Sequence, residues 1–308
     1  MTRILIGADV GGSKTAVGVS DGQRIVARAE GAGAALRPGR ALASAAVIAE
    51  TVRQALAGTG RLTGDLLYVG AAGAGRELER EELKRALQSE NLAPTIVITT
   101  DIELALAAAF DEGAGIVVSA GTGSVAVGRD RTGAHHRMGG YGWQMGDEGS
   151  GYAIGRAALG AVSRASDGRS PRTALSQRVL DASRSENFDA LVRWAAGASP
   201  AEVAALAPHV LEVAVHGDPL AQGIADYAAR ELTQLAICLL SVMEVEPPVG
   251  VAIAGGLLST DGPLRRSVLA RLGEQAALSP VEAPVDAVEG AIRLAGRVAG
   301  SHPERSPG

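Results

Sequence analysis

A chain of 308 residues, 46% of them hydrophobic, exceeds one comfortable core, so two lobes are expected. The formal net charge of −5 offers no basic face for nucleic acid, and no apolar run approaches the roughly 20 residues that a membrane span needs. The N-terminus has no signal-peptide pattern, which predicts a cytoplasmic protein with no membrane partner, and a single cysteine, Cys238, excludes an intrachain disulfide or a cysteine-rich metal centre.

The first element is an apolar strand, ILIGA, that runs into DVGGSKT at 9–15. A P-loop needs G-x-x-x-x-G-K-[ST], but Ser13 precedes Lys14, and a dinucleotide fingerprint needs spaced glycines whereas Gly11 and Gly12 are adjacent. Both of those patterns also lead into a helix. Here Thr15, Val17 and Val19 alternate with Ala16, Gly18 and Ser20, Asp21-Gly22 offers a turn, and Ile25-Val26-Ala27 starts another strand. The reading is strand, glycine corner, strand, turn, strand. Such a corner either lets main-chain N–H groups approach an anion or is an ordinary hairpin. Asp9 beside it would hold Mg²⁺ in the first case and cap a turn in the second; Lys14 would contact phosphate or stand in solvent.

Helices follow at 40–57 and 77–90, with strands at 68–75 and 95–101, the alternation of an α/β lobe. Asp101 falls between TIVITT and IELALAAAF, a position suited to a helix N-cap and equally to a catalytic carboxylate at the carboxyl end of a strand. The glycine-cornered meander then recurs: a strand ending at Ser119, AGTGS with Gly121 and Gly123, a strand from Val125, and a turn at RDRTG, 129–133. A repeat about 110 residues on suggests a duplicated lobe. His135 and His136 are adjacent on a strand, point to opposite faces and read as solvated residues, and His209, His216 and His302 lack partners at ligand spacing.

The window 138–159 gathers Tyr141, Trp143 and Tyr152 around Asp147 and Glu148 in a chain with only two tryptophans, four tyrosines and two phenylalanines. Aromatic faces beside a carboxylate suit a sugar; the alternative is a helix lead-in with aromatics filling a core gap. From 151 to 245 the chain is helical, with a capping box at Ser199–Glu202, a cap at Asp218 and an apolar stripe of Ile224, Ala228, Leu232, Leu235, Leu239 and Val242 that carries Cys238 as a small core residue. A buried strand, VGVAIAGGLL at 249–258, brings a third glycine pair, Gly255-Gly256, before a helix at 263–272; the tail SHPERSPG reads as frayed.

ADVGGSKT, ITTDIELALAAA, SAGTGSVA, GGYGWQMGDEGSGY and AIAGGLL together resemble the BadF/BadG ATPase family and its N-acetylglucosamine kinase branch, within the actin, hexokinase and heat-shock ATPase superfold, over nearly the whole chain. The resemblance implies an α/β, two-lobed actin-like ATPase fold: duplicated ribonuclease-H-like lobes with a helical insertion in the C-terminal lobe. The N-terminal lobe would be 1–112, rejoined by a final helix at 286–300, and the C-terminal lobe 113–285. It implies an ATP-dependent kinase for a primary hydroxyl of an amino sugar, N-acetylglucosamine first and glucosamine or N-acetylmuramic acid as alternatives, working as a homodimer. Carried over, Gly11, Gly12, Ser13 and Lys14 form one ATP phosphate corner and Gly121, Thr122 and Gly123 the other, with Gly255 and Gly256 by the adenosine. Asp9 holds Mg²⁺, Asp101 is the general base, and Asp101, Ser124, Tyr141, Gly142 and Asp147 contact the sugar; the family often has Trp where Tyr141 stands. These kinases usually set an asparagine against the sugar in the loop after the third strand, where this chain reads GAGAALRPG (31–39) with Ala35 or Leu36. That exchange points to apolar surface suited to an acetamide methyl.

Three other readings are weaker. The repressor and open-reading-frame kinase group would show an E-x-G-H motif and a cysteine-rich zinc loop, and neither occurs. An activator of a radical dehydratase would need two thiolates per subunit for its iron–sulfur cluster, which Cys238 alone cannot supply. A sugar sensor without turnover would have no need of Asp101.

Overall fold

The computed structural model describes residues 3–258 and 261–301, so His302 and the rest of the tail lie outside the described residues. The chain divides into two compact units, Met1–Glu112 with Val285–Gly308, and Gly113–Pro284.

The first unit is built on a five-stranded sheet of β1 (Leu5–Val10), β2 (Lys14–Ser20), β3 (Ile25–Ala32), β4 (Leu66–Ala71) and β5 (Thr95–Thr99), in the order β3-β2-β1-β4-β5. β4 is buried throughout and β1 is apolar and buried except at Asp9, as strands covered on both faces must be. β1 runs antiparallel to β2, with Asp9 opposite Ala16, and parallel to β4, with Asp9 beside Gly70. One face packs under α1 (Ala41–Ala57) and α2 (Glu77–Gln88) around Ile6, Ile48, Leu67 and Leu83. The other packs under α3 (Asp101–Phe110) and the last helix of the chain (Ala287–Ser301) around Leu5, Tyr68, Leu104 and Ala291.

The second unit repeats the topology with β6 (Gly115–Ala120), β7 (Ser124–Arg129), β8 (His135–Gly139), β9 (Val249–Ala254) and β10 (Leu278–Val281), in the order β10-β9-β6-β7-β8. β6 takes the place of β1, antiparallel to β7 and parallel to β9. This duplication of one mixed sheet is the ribonuclease-H-like pair that the opening meander and its repeat predict. Between β8 and β9 lies the helical insertion, α4 (Gly151–Ser166), α5 (Leu175–Ser183), α6 (Phe188–Gly197), α7 (Pro200–Ala204), α8 (Ala207–Val215) and α9 (Pro219–Leu240); α10 (Pro263–Gly273) follows β9, and the helix at Ala287–Ser301 is α11.

The insertion ends where its caps say it should. Ser199 and Glu202 form the capping box, and Asp218 accepts the N–H groups of Leu220 and Ala221 at the start of α9. The other Asp218 oxygen accepts from the Thr173 hydroxyl and the Ala174 N–H, both at 2.8 Å, so one carboxylate secures the entry of α5 to that of α9. Two details differ from the stripe drawn on α9: Val242 lies past its end and is exposed, and Cys238 is half-buried rather than core, with the Gln234 amide 3.1 Å from its sulfur. Position 238 is flanked in sequence by apolar residues that turn inward, which is what made it read as buried.

No helix among the described residues is long and apolar enough to cross a membrane.

α11 reaches the sheet only because its facing positions are small. A Cβ on Gly290 would stand 2.0 Å from the Leu104 carbonyl oxygen, and one on Gly7 of β1 would stand 2.8 Å from the Ala291 Cβ. Gly290→Ala therefore forces the main chain of α11 or α3 to move and should destabilise the unit by roughly 1–3 kcal/mol. Gly160→Ala on α4, where a Cβ meets nothing within 4 Å, should stabilise by up to about 1 kcal/mol. Melting curves of the two variants should move in opposite directions.

Candidate active site

Each unit delivers its central strand into a glycine corner. In the first, the Gly11 N–H donates to the Lys14 carbonyl at 2.9 Å, so the chain reverses within four residues. The loop after β3 backs this turn: the Ala34 N–H donates to the Gly11 carbonyl at 3.0 Å, and Gly33 lies so close that a Cβ on it would come within 2.1 Å of the Gly12 oxygen. The same loop is fastened to the end of β4 by the Leu36 N–H on the Ala72 carbonyl at 2.8 Å. Gly12 faces outward; a Cβ there would meet nothing. The N–H groups of Gly12 and Ser13 donate to no protein acceptor among the described residues. Adjacent free donors with open space in front of them make a nest for an anion.

Lys14, from the same corner, pairs with Glu30 across β2 and β3 at 3.0 Å, with both side chains more than 60% exposed. A pair so exposed contributes little, so the ammonium can turn to another anion at small cost.

Asp9 stands behind the corner, half-buried. Burial raises its pKa from the ordinary carboxylate value to about 7, with the charges of Asp101 and Asp286 adding to the rise and Lys14 opposing it. Asp101 is the first residue of α3, and the cap position belongs to Thr100, whose backbone is extended and whose side chain makes no capping bond. The carboxylate of Asp101 thus lies in the first helical turn, where the helix dipole favours negative charge. The reading of Asp101 as the N-cap does not hold, while its nearness to Asp9 does bring together two residues 92 positions apart. Asp286 was not among the predicted site residues. Its signal was present in DAVEG: it accepts the Val288 N–H at 3.0 Å as the cap of α11 and pairs with Arg28 at 2.6 Å.

No group of three or more His, Cys, Asp or Glu side chains able to hold a metal occurs among the described residues. One desolvated carboxylate beside a second one is what a magnesium ion that is mostly held by water and phosphate requires, since the cation relieves their repulsion. Asp9 fits that part.

The loop at 31–39 corrects one expectation. Leu36 is 4% exposed and belongs to the core of the first unit with Ala34, so its side chain adds no apolar surface to a ligand site. Only Ala35 remains half-buried at that point.

In the second unit the Gly121 N–H donates to the Gly123 carbonyl at 2.9 Å, and the N–H groups of Thr122 and Gly123 donate to no protein acceptor among the described residues. A Cβ on Gly121 would meet nothing. The third glycine turn adjoins this corner: the Leu257 N–H donates to the Ala120 carbonyl at 3.0 Å, and a Cβ on Gly255, whose φ is +88°, would come within 2.4 Å of that oxygen. Gly256, by contrast, has open space.

The segment 138–152 lies over the same corner. The Gly151 and Tyr152 N–H groups, at the start of α4, donate to the carbonyls of Gly121 (2.8 Å) and Thr122 (3.2 Å), and Ser150 caps the helix through the Ala153 N–H. The buried Ser124 hydroxyl donates to the Glu148 carbonyl at 2.7 Å. Asp147 is 8% exposed; burial raises its pKa, and the nearby main-chain N–H groups of Ser124 and Gly142 oppose the rise. Tyr141 (71% exposed) and Trp143 (44%) face solvent, and the Trp143 ring leans on Tyr152 at 5.2 Å. The aromatics therefore form an exposed face rather than plugs in the core.

The histidines differ from the prediction in one respect. His135 is exposed, but His136 Nε2 lies 2.7 Å from Asp130 Oδ2, and Asp130 is buried and also accepts from Thr132 and Ala134. His136 is a β8 residue tied through Asp130 to the β7–β8 turn rather than a solvated one.

The Asp9 environment has a pH signature. Because folding raises its pKa from 3.8 to about 7, the stability it contributes is full below the unfolded value and is lost as pH rises through about 7. Asp9→Asn fixes the neutral form, so without divalent cations its melting temperature should exceed that of wild type by a margin that widens from pH 4 to pH 8. A constant margin would mean that Asp9 carries no such shift.

The chain as a whole is similar to known proteins. An N-acetyl-D-glucosamine kinase of Dictyostelium discoideum is 31% identical over 249 residues, 76% of this chain and 78% of that protein. An N-acetylmuramic acid/N-acetylglucosamine kinase of Clostridium acetobutylicum is 32% identical over 196 residues, 63% of this chain and 64% of that protein's own length. A solved structure from Chromobacterium violaceum, provisionally assigned as an N-acetylglucosamine kinase, superposes with a TM-score of 0.79 at 28% identity, covering 95% of this chain and 99% of that one. The model of the BadF/BadG/BcrA/BcrD ATPase family matches residues 6–295, which include both glycine corners, Asp101, the 138–152 segment and the turn after β9, and the chain belongs to that family.

Proposed function

We propose that this protein is an ATP-dependent kinase that phosphorylates a primary hydroxyl of an amino sugar. The observation that carries the reading is the pair of glycine corners, each ending the central strand of its sheet with two adjacent N–H groups that no protein acceptor uses. Main-chain donors of this kind suit phosphate oxygens and need no reorganisation when charge shifts during transfer. The relatives whose names specify an amino sugar supply the acceptor class.

In this reading Gly11, Gly12, Ser13 and Lys14 take phosphate oxygens in the first unit and Gly121, Thr122 and Gly123 in the second, with the turn at Gly255-Gly256 by the nucleoside. Magnesium, when bound, neutralises phosphate charge, and Asp9 holds it directly or through water. Asp101 accepts the proton of the attacking sugar hydroxyl as its oxygen bonds to the γ-phosphorus and the bond to ADP breaks. The sugar lies on the exposed face of Tyr141 and Gly142, with Ser124 and Asp147 behind it.

N-Acetylglucosamine, giving its 6-phosphate, is the first choice of acceptor, and N-acetylmuramic acid and glucosamine are the alternatives. With Leu36 in the core, the acetamide preference no longer draws on the 31–39 loop and rests on the relatives. ADP release with Mg²⁺-ATP across glucose, glucosamine, N-acetylglucosamine, N-acetylmannosamine and N-acetylmuramic acid tests both levels. Glucose equal to or better than every amino sugar in kcat/KM removes the amino-sugar assignment, and no sugar-dependent release removes the kinase. Asp101→Asn should keep ATP affinity and lower kcat by roughly 10²-fold or more. Turnover within about threefold of wild type would leave Asp101 without the proton-accepting role.

A further inference from the structure

We infer that Arg265 is a positioning residue for the phosphate corner of the second unit: its buried guanidinium bridges two main-chain carbonyls and so fixes the β9–α10 turn against which that corner is built. The inference rests on the nucleotide role proposed for the corner, and it gives a task to a buried charge that phosphoryl transfer itself does not use.

Arg265 is 7% exposed, and it donates from Nη1 to the Leu258 carbonyl at 2.9 Å and from Nη2 to the Glu282 carbonyl at 2.7 Å. No carboxylate pairs with it among the described residues. A guanidinium cannot shed its proton to suit an apolar setting, so burying one without an ion pair is costly unless its donors are used. The position adds a second cost: Arg265 lies in the first turn of α10, where the peptide dipoles disfavour positive charge. What offsets both is the bridge. Leu258 lies in the turn that follows β9, and Glu282 follows β10, so one side chain spans the carboxyl ends of two adjacent parallel strands. The turn it holds is the one that meets the second corner. The Leu257 N–H donates to the Ala120 carbonyl, the Leu258 N–H donates to the Gly255 carbonyl at 3.0 Å, and Gly255 lies against Ala120. Ala120 is the last residue of β6, directly before Gly121. Arg265 thus acts on the Thr122 and Gly123 donors through Leu258, the turn and Ala120, all within one unit.

Charge and bridge make different predictions. Lysine keeps the positive charge but lacks the planar fork that reaches two carbonyls at once, and methionine removes both. Binding of Mg²⁺-ADP in the absence of sugar, measured by calorimetry beside a melting curve, separates the two. Arg265→Lys and Arg265→Met should both weaken ADP binding roughly tenfold, because each leaves a buried carbonyl without its donor and the turn relaxes. A lysine variant that binds ADP as wild type does overturns the inference, since charge alone would then suffice. Lower melting temperatures with wild-type ADP affinity in both variants also overturn it and reduce Arg265 to an anchor for α10. NMR of wild type supplies a second measurement that does not depend on the variants folding. The Arg265 guanidinium has almost no surface to offer a ligand, so its signals should shift on addition of Mg²⁺-ADP only if the turn connects it to the corner; signals indifferent to bound ADP would show that it does not. A wild type that binds no ADP overturns the inference together with the nucleotide role of the corner. A protein that binds ADP with this dependence but phosphorylates no sugar would end the kinase reading and leave the role of Arg265 intact.

Discussion

An antiparallel reversal at the end of a buried central strand leaves two successive main-chain N–H groups without an acceptor, and this chain makes that reversal twice. Gly12 and Ser13 carry the pair in one unit, Thr122 and Gly123 in the other. The rest of the architecture holds those donors still. β1 and β6 are each bounded by an antiparallel neighbour on one side and a parallel one on the other, so neither can shift register without breaking two ladders. The parallel neighbours also end at the same edge as the corners. That is why the loop after β4 meets the first corner through Leu36 and Ala72, and the turn after β9 meets the second through Leu257 and Ala120. In open α/β sheets, ligands gather at the carboxyl ends of the parallel strands for this topological reason.

The glycines divide into two groups once one asks what a Cβ would touch. At Gly33, Gly123 and Gly255 it would strike the protein's own atoms within 3 Å, so these glycines let one loop lie against another. At Gly12, Gly121 and Gly256 it would strike nothing. A side chain at those three positions is compatible with the protein's own packing. Gly255 and Gly256 are adjacent in sequence and fall in different groups, the first bound by a left-handed φ and a close carbonyl, the second by neither. In this pair of glycines the fold thus constrains the first and leaves the second unconstrained by packing.

Much of this could be read in the sequence because the strands alternate or run apolar and the corners carry glycine. The repeat of Val17 and Val19 after Gly12 by Val125 and Val127 after Gly123 was enough to expect two sheets of one design. Side-chain environment was less accessible. Leu36 follows two alanines and a glycine in a loop, with no periodicity to show that the main chain folds back on β4 and drives it into the core. His136 looked solvated because its partner, Asp130, reaches it only through a turn whose shape depends on Thr132 and Ala134. Asp101 fell one place from the cap assigned to it, a shift that sequence pattern alone does not resolve. Each of these misses concerns where a side chain points after a turn, which local propensity leaves open.

Carboxylates beside anion-accepting corners pose an electrostatic problem, and the protein meets it in three ways. At Asp147 burial raises the pKa, and the neighbouring main-chain N–H groups of Ser124 and Gly142 oppose that rise. Asp101 sits in the first turn of α3, where the peptide dipoles favour negative charge. Asp9 has neither device: burial and the charge of Asp101 push its pKa up to about 7, so near neutral pH it is divided between its two protonation states. A carboxylate in that condition beside a second one forms a site where added positive charge is favoured, whether it comes as a proton or as a divalent cation. With phosphate at the corner, as proposed, the pair would repel a bare polyphosphate and accept one that arrives with its counter-cation. It also offers a proton from an alcohol a place where its arrival lowers the repulsion. Under the proposed function the same two residues would select the metal-bound form of the nucleotide and favour proton removal from the acceptor, because both steps bring positive charge to one crowded pair.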